Sequence, residues 1–94
     1  MSKIFYNYVL LCKEKQKQIF YIGITSDLAK RIKQHKQGKT KTTSKYDMIK
    51  LVYYEACLSK ADAIKRERQL KTGFGKGYIK KRIQNYLKSV NERM

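Results

Sequence analysis

Two basic side chains, Arg31 and His35, lie four residues apart in a segment with helical apolar spacing. Residues at this separation share one face of a helix, so both side chains can reach a single phosphate group. A guanidinium binds two phosphate oxygens together, and an imidazole exchanges a proton near neutral pH. The pair therefore points to phosphate chemistry, although a lone helical histidine is more often a surface or packing residue.

A single carboxylate, Glu67, lies where an apolar side chain is expected. Ala63, Glu67 and Leu70 follow the spacing of a helical face that should pack against the core. Carboxylates are almost never buried without a partner, so Glu67 should contact a cation. That cation is either a basic side chain, such as Arg31, or a divalent ion of the kind that one or two carboxylates hold in phosphoryl-transfer sites. The spacing leaves both interpretations open.

The elements that must position these residues follow from the apolar patterning. Three segments rich in aromatic and β-branched residues predict strands, at residues 4–12, 19–25 and 50–56. Three further segments predict helices: one from the N-cap Ser26–Asp27 to Gly38, one from a capping box at residues 59–62 to about residue 71, and one with the apolar face Ile79, Ile83, Tyr86 and Leu87. The order predicts one α+β domain over residues 1–94, with a short antiparallel sheet covered by helices. Residues 73–77, rich in glycine, are predicted to be a flexible connection between the last two helices.

The chain is strongly basic. Its 94 residues include 23 Lys and Arg against 7 Asp and Glu, and the net charge of +16 predicts a polyanionic partner such as nucleic acid. Between Asp27 and Asp47 there is no acidic residue, and the basic residues there are Lys30, Arg31, Lys33, Lys36, Lys39, Lys41 and Lys45. Four of these are predicted to bind nucleic-acid phosphates, namely Lys30, Lys39, Lys41 and Lys45. Residues 39–45 have no apolar anchor and should form an exposed, mobile loop.

The composition argues against several other classes of protein. No stretch approaches the roughly 20 apolar residues of a membrane-spanning helix, and no signal peptide or lipidation signal begins the chain, so we expect a cytoplasmic protein without membrane contact. Cys12 and Cys57 lie in apolar runs and are too few for a disulfide framework or a four-ligand zinc site, so they should be packing residues. A basic component of a ribonucleoprotein is the alternative that requires no chemistry.

Several motifs occur in an order that resembles the GIY-YIG nuclease superfamily. The matching positions are Tyr8 in Tyr-Val-Leu-Leu-Cys, Tyr21 in Tyr-Ile-Gly-Ile-Thr, then Asp27–Leu28, Arg31, His35, Gly38, and the segments 50–55 and 63–67. The resemblance spans roughly residues 6–81 and is closest to small single-domain bacterial members and to the structure-specific branch. Several motifs in the right order are far more specific than one motif alone.

The resemblance implies a three-stranded antiparallel sheet flanked by about three helices, one Mg²⁺ or Mn²⁺ ion, and hydrolysis of DNA phosphodiester bonds. The catalytic residues that it implies are Tyr8, Tyr21, Arg31, His35 and Glu67, with Glu67 as the metal ligand. The general base is Tyr8, Tyr21 or His35. We also expect structure-selective cleavage in DNA repair or recombination, with an accessory protein or a second copy of the chain as a further partner.

This sequence departs from the family pattern at three points. The first motif reads Tyr6-Asn7-Tyr8 instead of Gly-Ile-Tyr, and Ile24 stands where some members have a lysine. Ile79 occupies the region where many members have a late asparagine, and Asn85 is a poor substitute. The alternative function is therefore a non-catalytic nucleic-acid-binding module with the same fold.

Overall fold

The computed structural model describes residues 3–92, with side chains up to Val90. Its strands are β1 (Phe5–Glu14), β2 (Lys17–Thr25) and β3 (Met48–Cys57), and they form one antiparallel sheet in the order β2-β1-β3. β1 is the central strand, hydrogen-bonded on both sides, and its residues 7–12 are all buried. The predicted α+β class and the three-stranded antiparallel sheet are confirmed.

Four helices cover the sheet: α1 (Leu28–Lys36), α2 (Lys60–Leu70), α3 (Gly73–Arg82) and α4 (Gln84–Glu92). The first three begin after a side-chain cap, because Asp27, Ser59 and Thr72 each accept a hydrogen bond from the backbone N–H three residues later. The caps at Asp27 and Ser59 are those that the sequence predicted. No described helix is long and apolar enough to cross a membrane.

The sheet separates two apolar clusters because the side chains of β1 alternate between its faces. The β1 residues that pack toward α1 are Tyr8, Leu10 and Cys12. On the opposite face, the buried cluster joins the sheet to α2, α3 and the residue that follows α3, through Val9, Ile22, Leu70, Ile79 and Ile83. We refer to these two faces as the α1 side and the α2 side of the sheet.

The glycine-rich segment does not form the flexible connection that the sequence predicts. Residues 73–77 are the first half of α3, which begins directly after its cap at Thr72. Gly75 is buried, and a Cβ at this position would collide with the backbone of Gln69 and Leu70. The glycine therefore permits a close approach of α3 to the end of α2, which local sequence patterns do not reveal.

The last predicted helix is divided in two. Ile83 ends α3 with φ −117° and ψ 23°, outside helical values, and α4 begins at the next residue. Ile79 and Ile83 are nevertheless buried, and Tyr86 and Leu87 pack against the same cluster, so the predicted apolar face is confirmed despite the break.

The two cysteines occupy packing positions, as predicted. Cys12 is fully buried, and burial raises the pKa of its thiol to about 11. The Cys57 sulfur accepts a hydrogen bond from Asn7 Nδ2 at 3.7 Å. Among the described residues, no group donates a hydrogen bond to the buried side-chain oxygen of Asn7, the residue that departs from the first motif.

Candidate active site

Tyr8 lies on the α1 side of the sheet and is fully buried. Its partner across β1 and β2 is Gly23, and a Cβ at Gly23 would collide with the tyrosine ring. The ring of Tyr8 thus occupies the space that the glycine leaves empty. The tyrosine of the first motif and the glycine of the second are therefore a single packing unit.

A buried chain of hydrogen bonds begins at the Tyr8 hydroxyl. This hydroxyl lies 2.9 Å from Nε2 of His35, and Nδ1 of His35 lies 2.7 Å from Oγ1 of Thr43. All three residues are fully buried. His35 is therefore neither a surface residue nor a simple packing residue, because both of its ring nitrogens have polar partners.

One tautomer of His35 supports proton transfer from Tyr8. The Tyr8 oxygen already accepts a hydrogen bond from Arg31 Nε at 3.2 Å, and its own proton is available for His35. If Tyr8 donates to Nε2, then Nδ1 holds the ring proton and donates to Thr43. In the other tautomer, Nε2–H donates to the Tyr8 oxygen and the Thr43 hydroxyl donates to Nδ1.

Arg31 connects this buried chain to the surface. Its Nε donates to Tyr8 and its Nη1 donates to Gln34 Oε1 at 3.2 Å, so both of these partners are neutral. Among residues 3–90, whose side chains are described, no carboxylate pairs with Arg31, and the side chain is only half-buried. Tyr21 is a further neutral neighbour of the guanidinium, so the positive charge of Arg31 remains available to an anion.

Tyr21 completes the group on the α1 side. It pairs with Leu10 across the hairpin, which directs its ring toward the same face as Tyr8. The Tyr21 ring centroid lies 6.2 Å from that of Tyr8 and 5.1 Å from that of His35. Because Tyr21 is only half-buried, its phenol is more open to a ligand than that of Tyr8.

Burial keeps both Tyr8 and His35 neutral at physiological pH. Desolvation raises the pKa of Tyr8 above its ordinary value, and the hydrogen bond from Arg31 only partly opposes this shift. Desolvation and the nearby charge of Arg31 both lower the pKa of His35. A neutral imidazole with Nε2 unprotonated is thus placed to accept a proton from a neutral phenol.

Glu67 is contributed by a different part of the fold. It lies between the buried residues Ala63 and Leu70 on the inward stripe of α2, as predicted, and its side chain is 20% exposed. Its basic partner is Lys71, with Nζ 3.6 Å from Oε2, so the alternative prediction of an ion pair with a basic side chain is confirmed, although the partner is not Arg31. Among the described residues, no hydrogen bond, ion pair or ring contact joins Glu67 to the four site residues on the α1 side.

The chemistry of Glu67 fits a single divalent ion. Lys71 is 56% exposed and lies at long ion-pair distance, so it neutralises the carboxylate weakly. No group of three or more His, Cys, Asp or Glu side chains that could form a complete metal cage occurs in residues 3–92. Mg²⁺ commonly needs only one or two carboxylates, with phosphate and water as the other ligands.

The loop after α1 contains a buried residue that the sequence did not predict. Thr43 is fully buried against His35, which contradicts the prediction that residues 39–45 form an exposed loop. Tyr46, just after that loop, is nearly buried. A threonine in a polar run gives no apolar signal. A buried histidine does require a partner for its second nitrogen, and that requirement is the clue that could have identified Thr43.

The predicted phosphate-binding lysines surround this anchored loop. Lys30, Lys39, Lys41 and Lys45 are all exposed, on α1 and in the loop that follows it. Lys45 Nζ lies 5.4 Å from the ring centroid of Tyr46. The lysines thus extend the positive surface beyond Arg31.

Comparison with known families gives a decisive match. Residues 4–84 match the model of the GIY-YIG catalytic domain. The chain belongs to the GIY-YIG family. This is a nuclease family, and its nucleases generally depend on a divalent metal ion. The recognition of this family from the order of its motifs is therefore confirmed.

The chain is also similar to small bacterial relatives described only as UPF0213 proteins. One from Lacticaseibacillus paracasei is 37% identical over 71 residues, covering 74% of this chain and 76% of the relative. One from Clostridium perfringens is 40% identical over 67 residues, covering 70% and 69%. One from Staphylococcus saprophyticus is 37% identical over 68 residues, covering 71% and 79%. No solved structure gives a significant match.

Proposed function

We propose that this GIY-YIG chain is a metal-dependent endonuclease that hydrolyses DNA phosphodiester bonds. The environment of Arg31 is the observation that supports this proposal most directly. Its guanidinium is held by Tyr8 and Gln34 and has no carboxylate partner among the described side chains of residues 3–90. A cation fixed in advance in this way is complementary to the charge that develops on a phosphate during hydrolysis.

Each side chain on the α1 side has a distinct task in this proposal. Arg31 binds the non-bridging phosphate oxygens, and the half-buried Tyr21 orients the attacking water. The water loses a proton to the partly exposed Tyr21 phenol, which passes its own proton to the Tyr8 oxygen, and Tyr8 in turn passes its proton to Nε2 of His35. In the tautomer that this proposal uses, Nδ1–H donates a hydrogen bond to Thr43 Oγ1, which leaves Nε2 unprotonated. His35 is then the final base, and Tyr21 and Tyr8 are the relay between it and the water.

Glu67 would hold the divalent ion, Mg²⁺ or Mn²⁺, through its weakly paired carboxylate. When bound, such an ion supplies Lewis-acid stabilisation of the phosphate and of the departing oxygen. The protein contributes the carboxylate and its fixed position between two buried residues of α2.

The direct test is incubation of the protein with duplex, single-stranded, flap and branched DNAs in Mg²⁺, in Mn²⁺ and in EDTA. We expect cleavage in at least one metal and none in EDTA.

Arg31→Ala should lower the cleavage rate by about 10²- to 10³-fold, the usual effect of losing one preorganised donor to developing charge. The matched control is Lys33→Ala, because Lys33 is also a cation on α1 but is exposed, and the rate should change little. Equal rates for the two variants would contradict the role of Arg31.

The salt dependence of DNA binding should reveal the phosphate contacts of the loop after α1. Each phosphate neutralised on duplex DNA contributes about 0.9 to the log–log salt slope. Replacing Lys39, Lys41 and Lys45 with Gln should therefore flatten this slope by up to roughly 3 units. The control replaces Lys15, Lys17 and Lys60, which removes the same charge from exposed sites elsewhere. A slope that changes equally in both triple variants would mean that DNA does not lie on the α1 side.

A non-catalytic nucleic-acid-binding module is the second candidate function. It is favoured by one observation, namely that Glu67 contacts Lys71 and none of the four site residues on the α1 side. This candidate predicts salt-sensitive binding with no metal-dependent cleavage of any DNA in the panel.

Within the endonuclease proposal, so small a surface suits phosphate and shape contacts to branched DNA. Such a substrate would place the activity in cytoplasmic DNA repair or recombination, with an accessory protein or a second copy of the chain adding specificity.

A further inference from the structure

The start of α3 exposes an aromatic groove that the proposed cleavage site does not use. Phe74 is 94% exposed and Tyr78 is 40% exposed. The two residues are four apart on the helix, so their rings are neighbours on one face. With Gly73, Gly77 and Lys81 they line a groove of about 460 Å³. A phenylalanine this exposed contributes nothing to the core, which calls for another reason for its presence.

The glycines in this groove are not required by packing. A Cβ at Gly73 or at Gly77 would meet no atom within 4 Å, whereas a Cβ at Gly75 would collide with the end of α2. Glycine inside a helix costs roughly 0.5–1 kcal/mol relative to alanine. Gly75 has a structural reason for this cost, and Gly77 does not. What Gly73 and Gly77 provide is bare backbone and open space beside two aromatic rings.

Contacts with Tyr53 and Arg66 hold the Tyr78 side of the groove in place. The Tyr78 hydroxyl lies 3.4 Å from that of Tyr53, and the Arg66 guanidinium lies 5.0 Å from the Tyr78 ring centroid. Arg66 itself makes a bidentate pair with Glu55, at 2.8 and 2.9 Å. Binding against Tyr78 therefore costs little side-chain entropy, because the ring is already ordered.

The surroundings of the groove are strongly basic. Between Glu67 and Glu92 there is no acidic residue, and the basic residues there are Arg68, Lys71, Lys76, Lys80, Lys81, Arg82 and Lys88. A polyanion is complementary to this segment, whereas a basic second copy of the chain is repelled by it. Exposed aromatic rings inside a positive groove are the combination that binds single-stranded nucleic acid, through base stacking and phosphate contacts.

We propose that the groove formed by Phe74, Tyr78 and Lys81 binds an unpaired nucleotide. The base stacks on the Phe74 ring over the bare backbone of Gly73 and Gly77, and Lys81 contacts the adjacent phosphate. α3 packs on the α2 side of the sheet, so this site is distinct from the group around Arg31. The inference goes beyond the proposed cleavage, because it needs only binding and can be tested with cleavage switched off.

The test compares two oligonucleotides in EDTA by fluorescence anisotropy. One is oligothymidylate of about 12 nucleotides, within the usual footprint of single-strand-binding sites, and the other is an abasic strand of the same length and charge. Phe74→Leu should weaken binding of oligothymidylate by about 5- to 100-fold, the range expected for the loss of one base–aromatic stack. Binding of the abasic strand should not change, and Phe74→Trp should restore the affinity for oligothymidylate.

Gly77→Ala provides an independent variant that should fold, because its Cβ would meet no packed group within 4 Å and alanine favours the helix. It should weaken binding of oligothymidylate while raising or preserving the melting temperature. Unchanged affinity in both Phe74→Leu and Gly77→Ala would overturn the proposal, as would an equal loss for the abasic strand. Sedimentation of a wild-type dimer that Phe74→Leu dissociates would instead identify the groove as a contact between copies. Because no step needs a metal ion, failure here leaves the proposed cleavage untouched.

Discussion

Glu67→Gln is expected to abolish metal-dependent cleavage of DNA while changing the free energy of unfolding by less than about 1 kcal/mol. The amide has almost the shape of the carboxylate but lacks the charge that would hold a divalent ion. The small effect on stability follows from the partner of Glu67, since Lys71 is more than half exposed and remains hydrated without it. DNA affinity should stay equal or rise, because a negative charge near the phosphate is removed. Cleavage assays and thermal unfolding of the same preparation measure both effects.

Lys71→Gln is the matched control for this prediction. It breaks the same ion pair from the other side but leaves the carboxylate intact, so cleavage should persist. Retained cleavage by a well-folded Glu67→Gln protein would exclude Glu67 as the metal ligand. Equal loss of cleavage in both variants would show that the ion pair, and not a bound metal, is what matters.

Tyr8→Phe is expected to lower the cleavage rate by about 10²- to 10⁴-fold, the range attributed to a positioned proton-transfer group. The variant retains the ring that packs against Gly23, but Arg31 Nε loses its acceptor and His35 Nε2 loses its donor. Because these groups are partly or fully buried, unfolding should also become easier by about 1–3 kcal/mol. Tyr54→Phe is the control, since Tyr54 is an exposed tyrosine of β3. Single-turnover cleavage rates at saturating protein distinguish slower chemistry from weaker binding.

The pH profile tests the same chain of hydrogen bonds. Burial and Arg31 lower the pKa of His35 below its ordinary value of 6.5, so the imidazole stays neutral at physiological pH. Wild-type cleavage should therefore hold through neutral pH and fall only on the acid side of 6.5, as His35 becomes protonated. The effect of His35 on the free energy of unfolding depends on pH in the same direction as cleavage. The stabilisation is present above pH 6.5 and is lost as the pH falls through the lower pKa of His35 in the folded protein. An acid limb that is unchanged in Tyr8→Phe would mean that His35 does not receive the proton through Tyr8.

Much of the local structure was predictable because it depends on neighbours in the sequence. The hairpin, the third strand, the caps at Asp27 and Ser59 and the apolar face that begins at Ile79 all follow from side-chain periodicity and from backbone donors at helix ends. The pairing of Arg31 with His35 on one face of α1 follows from their spacing of four. These features involve contacts over a few residues, which composition and spacing describe directly.

Other features depend on contacts between distant segments and escaped the sequence analysis. Gly75 is buried in α3 against the end of α2, and Thr43 is buried as the second polar partner of His35. Glu67 pairs with Lys71 and not with Arg31, because α2 packs on the side of the sheet opposite α1. None of these three arrangements produces a recognisable pattern of apolar residues in the sequence.

The sequence by itself determined the α+β class, the positive charge and the family, since the order of the motifs and the excess of basic residues survive any packing arrangement. Only the tertiary structure decided how the motif residues act on one another. It buries Tyr8 over Gly23, places His35 between Tyr8 and Thr43, and leaves Arg31 as the exposed end of that chain. The reason is physical: burial removes water from these groups, so their hydrogen-bond partners and pKa values depend on which segments meet in space.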